Sequence, residues 1–443
     1  MISSHGGDAR QPLTRRVLKW LYPGMNVKRW LLLIVLGATL VSLGVAAWLD
    51  APGLSFGLLQ IVARHAPAVA DVFVEHRIVG LLLGVLGVAG ILFGVNQIVR
   101  SIGAAVIPED RELVDVIFEK RHLEHGPRVT AIGGGTGLAS LLRGLKTRTG
   151  NLTAVVTVAD DGGSSGRLRE TGMLPPGDIR NCIAAMSTVE PLVTQLFQHR
   201  FSGRGELDGH SFGNLFIAAM EDVTGDFVTA VRETSKVLAI RGEVLPATLS
   251  QVTLGARLQD GTSVRGQVNV NKAPAPIVSA FLEPHAPPAL DEAVEAILHA
   301  DLVVLGPGSL YSSIVPNLLV PGIADAVRRT RAVKVYICNI MTQPNETLGY
   351  RASDHVRALT QALGGQCLDF VLLNGTPPSR PSLERYEDKG AAFVEPDVAA
   401  VEALGPRVIL DDFISEQSYV RHHSPRLAER LFRLIEEGAR ATR

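Results

Sequence analysis

The sequence predicts an α/β protein in which a doubly wound, mainly parallel sheet carries an antiparallel hairpin insertion and follows two transmembrane helices. Two long uncharged runs stand near the N-terminus, and from about residue 127 short β-branched runs alternate with helical patterns. One alternating segment surrounds Asp260 and Gly261. Alternating strands and helices are typical of a parallel sheet, whereas an Asp-Gly turn between alternating segments is typical of a hairpin.

The first predicted element is a pair of membrane spans at residues 30–49 and 78–99. Neither run contains a charged residue, and each is long enough to cross ~30 Å of hydrocarbon as a helix. A cleaved signal sequence is the alternative for the first run, although its length and the second span speak against it. Glycines in the second run recur at steps of three or four residues and predict close helix packing: Gly80, Gly84, Gly87, Gly90 and Gly94.

The distribution of charge predicts the orientation of these spans. Six basic residues and only one acid precede the first span, whereas residues 50–77 carry two basic and three acidic residues. Because Lys and Arg concentrate on the cytoplasmic side, we expect a multi-pass protein of the inner cell membrane with N-terminus and C-terminal domain in the cytoplasm. Apolar residues around Phe56 to Val62 predict an interfacial helix in the connecting segment.

Length and composition set further limits. The 443 residues predict a basic N-terminus at 1–29, a transmembrane hairpin at 30–99, a linker at 100–126 and a binding domain at 127–443. A net charge of -1 argues against a nucleic-acid partner. Cys182, Cys338 and Cys367 form no CxxC pair, which indicates a reducing compartment and small core residues.

The predicted domain begins with a strand and ends with a helix. Parallel strands are predicted at residues 129–132, 152–158, 302–305, 333–338 and 370–373. Helices are predicted at residues 191–201, 214–220, 227–239, 291–298 and 354–363. The hairpin should pair residues 248–258 with 263–270, and an amphipathic helix should occupy 424–437.

The first strand is followed by a glycine turn that leads into a helical pattern. Such a turn lets the backbone approach an anion, and the helix N-terminus supplies free N–H groups. The motif fits neither GxGxxG nor the P-loop pattern, so a purely structural turn remains the alternative. The candidate phosphate-binding residues here are Gly133, Gly134, Gly135, Thr136 and Gly137.

A polar loop follows the second strand. Ligands collect at the carboxyl ends of parallel strands, so this loop should converge on the first turn. Asp160 and Asp161 are candidate Mg²⁺ ligands, and Arg167 and Arg169 are candidate phosphate forks, whereas a hydrophilic loop capped by aspartates is the alternative. The candidate binding residues are Asp160, Asp161, Gly162, Gly163, Ser164, Ser165, Gly166 and Arg167.

Four further segments complete the candidate crevice. Asp178, Arg180 and Asn181 follow a rigid Pro-Pro-Gly turn, although Arg180 fits a structural ion pair as well. His210 and Asn214 flank a second glycine turn, where a structural histidine is the alternative. The third and fourth strand ends add a glycine turn, an aromatic ring for stacking and neutral amides for a sugar or uracil: Gly306, Gly308, Ser309, Tyr311, Asn339 and Gln343.

These residues stand in strings that resemble the YvcK (gluconeogenesis factor) family, within the wider group of the 2-phospho-L-lactate transferase. The match runs in order from about residue 128 to 355 and fades past about 376. The strings are IGGGTGL, TVADDGGSSGRLR, PPGDIRN, LFQHRF, GHSFGNL, SKVLAIRGEVLPA, GPGSLYSSIVPNLLVP and VYICNIMTQPNETLGY.

The resemblance implies a Rossmann-like fold and binding of a UDP-sugar, especially UDP-N-acetylglucosamine, by the DDGGSSG loop, Tyr311 and Asn339. It also implies a regulatory role in cell-wall synthesis, cell shape and growth on gluconeogenic carbon sources, with cell-wall synthesis proteins as partners. A homo-oligomer is expected. Members of the family are usually described as soluble, so the N-terminal extension departs from the pattern.

Two other functions remain open. A phosphoryl-group transferase of the 2-phospho-L-lactate transferase type is the first alternative, although the loop and GPGSLY resemble the sensor-like branch. A NAD-type oxidoreductase is weaker, because the glycine pattern is wrong. No catalytic residue is assigned, and Mg²⁺ is the one cofactor that the loop suggests.

Overall fold

The computed structural model describes residues 28–48, 76–106, 121, 123–189, 191–203, 205–416 and 419–441. The chain forms two compact units that separate between residues 119 and 120. The predicted domain boundaries stay predictions. The basic N-terminus, the predicted interfacial helix and much of the predicted linker lie outside the described residues.

The N-terminal unit contains helices α1 (Lys28–Trp48) and α2 (His76–Val106). Both have the length and apolar composition of membrane spans, so the structure contains the two candidate spans that the sequence predicts. The helices approach closely at glycines, as predicted: a Cβ atom at Gly44 would lie 2.6 Å from the carbonyl oxygen of Gly80, and one at Gly87 would lie 2.5 Å from that of Gly37.

The second unit is built around a seven-stranded parallel sheet in the part of the chain that the structure describes. Its order is β10-β9-β8-β7-β1-β2-β3. Antiparallel sheets of order β5-β4-β6 and β11-β12 accompany it. The strands are β1 (Val129–Gly133), β2 (Leu152–Val156), β3 (Glu243–Pro246), β4 (Thr253–Leu258), β5 (Ser263–Arg265), β6 (Ile277–Glu283), β7 (Leu302–Leu305), β8 (Val333–Ile337), β9 (Phe370–Asn374), β10 (Arg407–Asp411), β11 (Ile414–Glu416) and β12 (Val420–His422).

Helices connect the strands. Helix α3 follows the first strand and packs against α5 and α16. A turn at Leu310–Ile314 leads into α11. The helices are α3 (Gly135–Leu145), α4 (Gly163–Glu170), α5 (Gly177–Met186), α6 (Pro191–Gln198), α7 (Phe212–Thr224), α8 (Phe227–Val237), α9 (Gln267–Val270), α10 (Asp291–Leu298), α11 (Val315–Leu318), α12 (Pro321–Arg329), α13 (Ala352–Leu363), α14 (Arg380–Glu387), α15 (Val398–Glu402) and α16 (Ser424–Ala441).

Most residues of the central strands are apolar because these strands are buried on both faces. Every residue of β1 is buried, and so is every residue of β7 and β9. A parallel sheet covered on both faces requires such continuous apolar runs. The predicted parallel strands and helices are confirmed, with small shifts at their ends.

The structure corrects the predicted hairpin. The second arm ends at Arg265, and residues predicted as its continuation form helix α9. Gly266 adopts φ 90, a left-handed conformation that ends the strand. Strands β3, β6 and β10 were not predicted, because they are short or carry polar residues and a proline.

The order of the parallel strands places a topological switch point between β1 and β7. From β1 the chain proceeds to β2 and β3 on one side, whereas β7 to β10 extend the sheet on the other. The connections that leave β1 and β7 therefore diverge at the carboxyl edge of the sheet. A crevice at this point is the usual ligand position in open α/β sheets.

Candidate functional site

A cavity of about 420 Å³ opens at the switch point. Four segments line it: the glycine turn after β1 with the start of α3, the loop after β7, the loop after β8, and residues near the C-terminus. The lining residues are Gly134, Gly135, Thr136, Gly137, Ser140, Pro307, Gly308, Ser309, Ser313, Asn339, Ile340, Met341, Gln343, Tyr386, Tyr419, Val420, Arg421 and His422.

The first glycine turn is closely packed on two sides. Gly135 adopts φ 65, which favours glycine. Gly134 has an extended backbone, but a Cβ atom there would lie 2.5 Å from Asp178 Oδ2 and 2.9 Å from Thr157 Cγ2. A Cβ atom at Gly137 would lie 2.5 Å from the carbonyl oxygen of Pro307. The backbone of the turn thus lies between a carboxylate and the loop after β7.

Asp178 supports this turn and is not among the residues that line the cavity. Its carboxylate accepts a hydrogen bond from the backbone N–H of Gly135. Burial raises the pKa of Asp178 to about 6, and the nearby charge of Asp160 adds to the rise, whereas the Gly135 bond and Arg180 oppose it. Asp178 is therefore a structural anion of the turn.

The loops after β7 and β8 are joined by side-chain hydrogen bonds. Gln343 Nε2 donates to Ser309 Oγ at 2.7 Å, and both residues line the cavity. The Oε1 atom of Gln343 is buried and has no partner among the described residues. Asn339 contributes a second amide to the same wall.

Tyr311 lies behind this wall. Its side chain is only 4% exposed, and its hydroxyl donates to Tyr350 Oη at 2.9 Å, because Tyr350 in turn donates to the carbonyl oxygen of Ile277. Tyr311 is not among the residues that line the cavity. Its predicted contact with a ligand stays a prediction, and its position favours a packing role.

The C-terminal lining residues were missed by sequence reasoning. Tyr386 lies in α14, Arg421 lies in β12, and Tyr419 directly precedes that strand. His422 donates from Nε2 to the carbonyl oxygen of Cys338 at 3.2 Å, and burial lowers the pKa of His422 to about 4, so its ring is neutral at pH 7. The string SYVRHHS was a usable signal, because it concentrates aromatic, cationic and imidazole groups in seven residues.

Many of the other predicted residues form a polar cluster apart from the cavity lining. Arg167 Nε donates to His210 Nε2 at 2.9 Å, and Arg167 Nη2 donates to the carbonyl oxygen of Asp208. Asn214 Nδ2 donates to Ser164 Oγ at 3.0 Å. Arg180 bonds Ser211 Oγ and the side-chain oxygen of Asn181. The structure thus brings these segments together, but their side chains bond to one another and do not line the cavity.

The hydrogen bonds of His210 decide its tautomer. Because Nε2 accepts from Arg167, a neutral ring carries its proton on Nδ1 and donates to Ser164 Oγ at 3.2 Å. Burial lowers the pKa of His210, and the charges of Arg167 and Arg200 lower it further. His210 is therefore no general base for Ser164, which would need an acceptor nitrogen.

The aspartates of the polar loop are engaged by backbone groups. Asp160 Oδ1 accepts from the N–H of Gly162 at 3.0 Å, and Asp161 Oδ1 accepts from the N–H of Val268 at 3.0 Å. The described residues contain no group of three or more His, Cys, Asp or Glu side chains that could hold a metal. Asp161 therefore fits a turn better than a Mg²⁺ site.

A glycine turn, a helix N-terminus and a cavity at the switch point of a parallel sheet define the class of Rossmann-like α/β binding proteins. Residues 129–414 match the family model described as 2-phospho-L-lactate transferase CofD. A gluconeogenesis factor from Bacillus subtilis (strain 168) is 49% identical over 313 residues, which cover 70% of this chain and 99% of that protein. The chain belongs to the CofD/UPF0052 family, on the gluconeogenesis factor branch.

Two further comparisons agree. A crystal structure of a UPF0052 family protein from Bacillus halodurans superposes with a TM-score of 0.67 at 49% identity and covers 69% of this chain and 98% of that one. A relative from Nostoc sp. (strain PCC 7120) is 49% identical over 420 residues, or 94% of this chain and 92% of the relative.

These matches correct two expectations. The family match extends to residue 414, so the likeness does not end near residue 376. The alignment with the Nostoc relative covers too much of the chain to omit helices α1 and α2. The N-terminal extension is therefore shared with a relative and is not peculiar to this chain.

Proposed function

We propose that the α/β unit binds a nucleotide-linked sugar, foremost UDP-N-acetylglucosamine, in the cavity at the switch point. One observation carries the proposal: the same 420 Å³ cavity combines a helix N-terminus, an arginine, neutral amides and aromatic rings. Its volume lies within the range of roughly 300 to 1,000 Å³ that is usual for small-molecule sites.

Each chemical part of such a ligand has a partner in the lining. The N-terminal N–H groups of α3 and the guanidinium of Arg421 suit a diphosphate. The amides of Asn339 and Gln343 suit a uracil or an acetamido sugar, because amides both donate and accept. Tyr386 and Tyr419 offer ring faces for a base or a sugar.

We further propose that binding serves regulation, and that the protein links carbon metabolism to cell-wall synthesis and cell shape. The hydrogen bonds of His210 support a binding role, because they prevent His210 from acting as the activating base of Ser164. A cell-wall synthesis protein as effector and a homo-oligomeric assembly belong to this proposal. So does a position in the inner membrane with the α/β unit in the cytoplasm.

A phosphoryl-group transferase of the 2-phospho-L-lactate transferase type is the second candidate. The description of the matching family model favours it. Such an enzyme needs a guanosine diphosphate carrier and an alcohol acceptor in the same site. The two candidates therefore differ in their ligands.

Calorimetric titration of the full chain in detergent micelles separates them. UDP-N-acetylglucosamine, GDP, NAD and a deazaflavin alcohol are titrated in turn. We expect saturable binding of UDP-N-acetylglucosamine and weaker or no binding of the others. Tighter binding of GDP together with the deazaflavin alcohol would favour the transferase and reject the proposed regulator.

A further inference from the structure

We propose that Glu346 is a positioning residue for the ligand cavity, because its buried carboxylate caps the turn after β7 and thereby fixes the hydroxyls that face the ligand. The inference rests on the proposed function for the identity of the ligand. The capping itself stands on the geometry of residues outside the cavity lining.

The carboxylate of Glu346 is sequestered from water and fully engaged. The residue is 4% exposed. Its Oε1 atom accepts from Ser312 Oγ at 2.6 Å, and Oε2 accepts from the backbone N–H of Tyr311 at 3.1 Å. The backbone N–H of Ser312 also donates to the carboxylate. Burial raises the pKa of Glu346, whereas these three donors oppose the rise.

The two backbone donors, Tyr311 and Ser312, lie in the first turn of the segment that runs from Leu310 through α11. The preceding residue, Ser309, makes no side-chain cap. A helix N-terminus favours a nearby anion. Glu346, which lies in the loop after β8, supplies this anion to the segment that begins at Leu310. The N–H groups of Tyr311 and Ser312 are thus occupied by a carboxylate and are not free to bind a ligand phosphate.

Capping from a distance leaves Ser309 available to the cavity. Its Oγ pairs with Gln343 Nε2 at 2.7 Å in the cavity wall. Ser313 also lines the cavity and lies close to the first glycine turn. A Cβ atom added at Gly135 would lie 3.5 Å from Ser313 Oγ. In the sequence, these two serines lie on either side of Tyr311 and Ser312, the residues that Glu346 holds.

The other end of the segment is tied to the first glycine turn. Asn317 is fully buried, and its Nδ2 donates to the carbonyl oxygen of Gly133 at 3.1 Å and to that of Ser313 at 2.8 Å. The segment is thus fixed at one end by Glu346 and at the other by Gly133. A loosened cap at Glu346 would let Ser309 and Ser313 move relative to the turn that receives the diphosphate.

The variant Glu346→Gln in the full chain tests this inference with two measurements. Glutamine keeps the size of the side chain but turns one acceptor into a donor that opposes Tyr311 N–H or Ser312. We expect about tenfold weaker binding of UDP-N-acetylglucosamine by calorimetry. Hydrogen exchange should show slow amides at Tyr311 and Ser312 in the ligand-free parent, faster amides in the variant, and unchanged amides in β7.

Two further variants calibrate the result. Ser312→Ala removes one donor and no acceptor, so it should weaken binding in the same direction by a smaller factor. Glu295→Gln makes the same chemical change on the exposed surface of α10 and should alter neither measurement. In Glu346→Gln, the added substitution Ser312→Ala should weaken binding less than it does alone.

The two measurements fail differently. Parent-like affinity in Glu346→Gln would overturn the positioning role. Amides at Tyr311 and Ser312 that become slow only when ligand is added would also overturn it, since the ligand rather than Glu346 would bind them. A parent protein that binds no nucleotide sugar, yet shows slow amides that quicken in the variant, would reject the proposed ligand and leave the capping contact intact.

Discussion

A carboxylate oxygen of Asp178 lies where Gly134 has no room for a side chain, since a Cβ atom at Gly134 would approach it to 2.5 Å. The next residue, Gly135, donates its N–H to the same carboxylate. The glycine turn therefore contributes to the cavity lining and also binds the carboxylate of Asp178. A ligand phosphate must use the remaining N–H groups at the start of α3.

The first prediction concerns Gly134→Ala. The new methyl group would overlap Asp178 Oδ2 and lie 2.9 Å from Thr157 Cγ2, so the turn must shift. We expect loss of ligand binding and a decrease of about 1 to 3 kcal/mol in the free energy of unfolding. Calorimetry and urea unfolding followed by circular dichroism measure the two effects.

The matched comparison is Gly133→Ala, whose methyl group would meet no atom closer than 3.7 Å. This variant should unfold within about 1 kcal/mol of the parent. Equal effects of the two substitutions would show that contact with Asp178 does not constrain the turn.

The second prediction is a pH dependence that arises from Asp178. The pKa of this residue is about 6 in the folded chain against an ordinary value of 3.8. The folded state therefore holds the proton more strongly, and the associated stability is lost as pH rises from about 4 to about 6. The side chain of Asp178→Asn is neutral throughout this range. The free energy of unfolding of the variant minus that of the parent should therefore increase by about 1 to 3 kcal/mol from pH 4 to pH 7.

Urea unfolding at three pH values between 4 and 7 measures this difference. Asp388→Asn makes the same chemical change at an exposed position and serves as the control. A difference for Asp178→Asn that does not change with pH would mean that Asp178 has the same pKa in the folded and unfolded chain.

The sequence predicted the central sheet because its strands are buried on both faces and carry unbroken apolar runs. Strands β7 and β9 are of this kind. Strand β10, RVILD, is partly exposed and begins and ends with charged residues, so its pattern does not differ from that of a loop. Helix α9 was mistaken for a strand because four residues are too few to separate the two periods.

The site was predicted in part. Glycine turns at strand ends have a local signature, so the turns after β1 and β7 were found. Which face of a loop meets the ligand depends on tertiary contacts: Arg167 is turned toward His210 and Asp208, not into the lining. Tyr386 and Arg421 were missed because they reach the cavity from elements that follow the last recognised motif.

The third prediction distinguishes tyrosines in the wall from the one behind it. Tyr311→Phe removes the hydrogen bond to Tyr350 and should lower the free energy of unfolding by about 0.5 to 1.5 kcal/mol, with little change in affinity. Tyr386→Ala removes a ring from the cavity and should weaken binding several-fold. Calorimetry measures affinity, and urea unfolding measures stability. A larger loss of affinity in Tyr311→Phe would return Tyr311 to the ligand contacts.

The fourth prediction concerns membrane topology. Reporters fused at Arg10 and after Arg443 should both lie in the cytoplasm, and a reporter inserted at Ala66 should lie outside. The reason is the excess of basic residues before the first span, followed by two spans of sufficient length. Paired alkaline phosphatase and fluorescent protein fusions measure this. An external C-terminus would reject the two-span arrangement.

The last prediction locates the diphosphate by comparing two arginines. Arg421 lines the cavity. Burial lowers the pKa of the nearby Arg143, and the charge of Arg421 lowers it further. A ligand phosphate would relieve this repulsion between cations. Arg167, in contrast, already donates to His210 and to the carbonyl oxygen of Asp208.

We therefore expect Arg421→Ala to weaken binding of UDP-N-acetylglucosamine by ~1.5 to 3 kcal/mol, or about ten- to a hundredfold, the scale of a charge-assisted hydrogen bond. Arg167→Ala should cost less than about threefold, because it disturbs the polar cluster and only indirectly the cavity. Calorimetry measures both affinities, and circular dichroism verifies that both variants are folded. A larger loss in Arg167→Ala than in Arg421→Ala would move the diphosphate toward the DDGGSSG loop, whose Arg167 the sequence predicts as a phosphate fork.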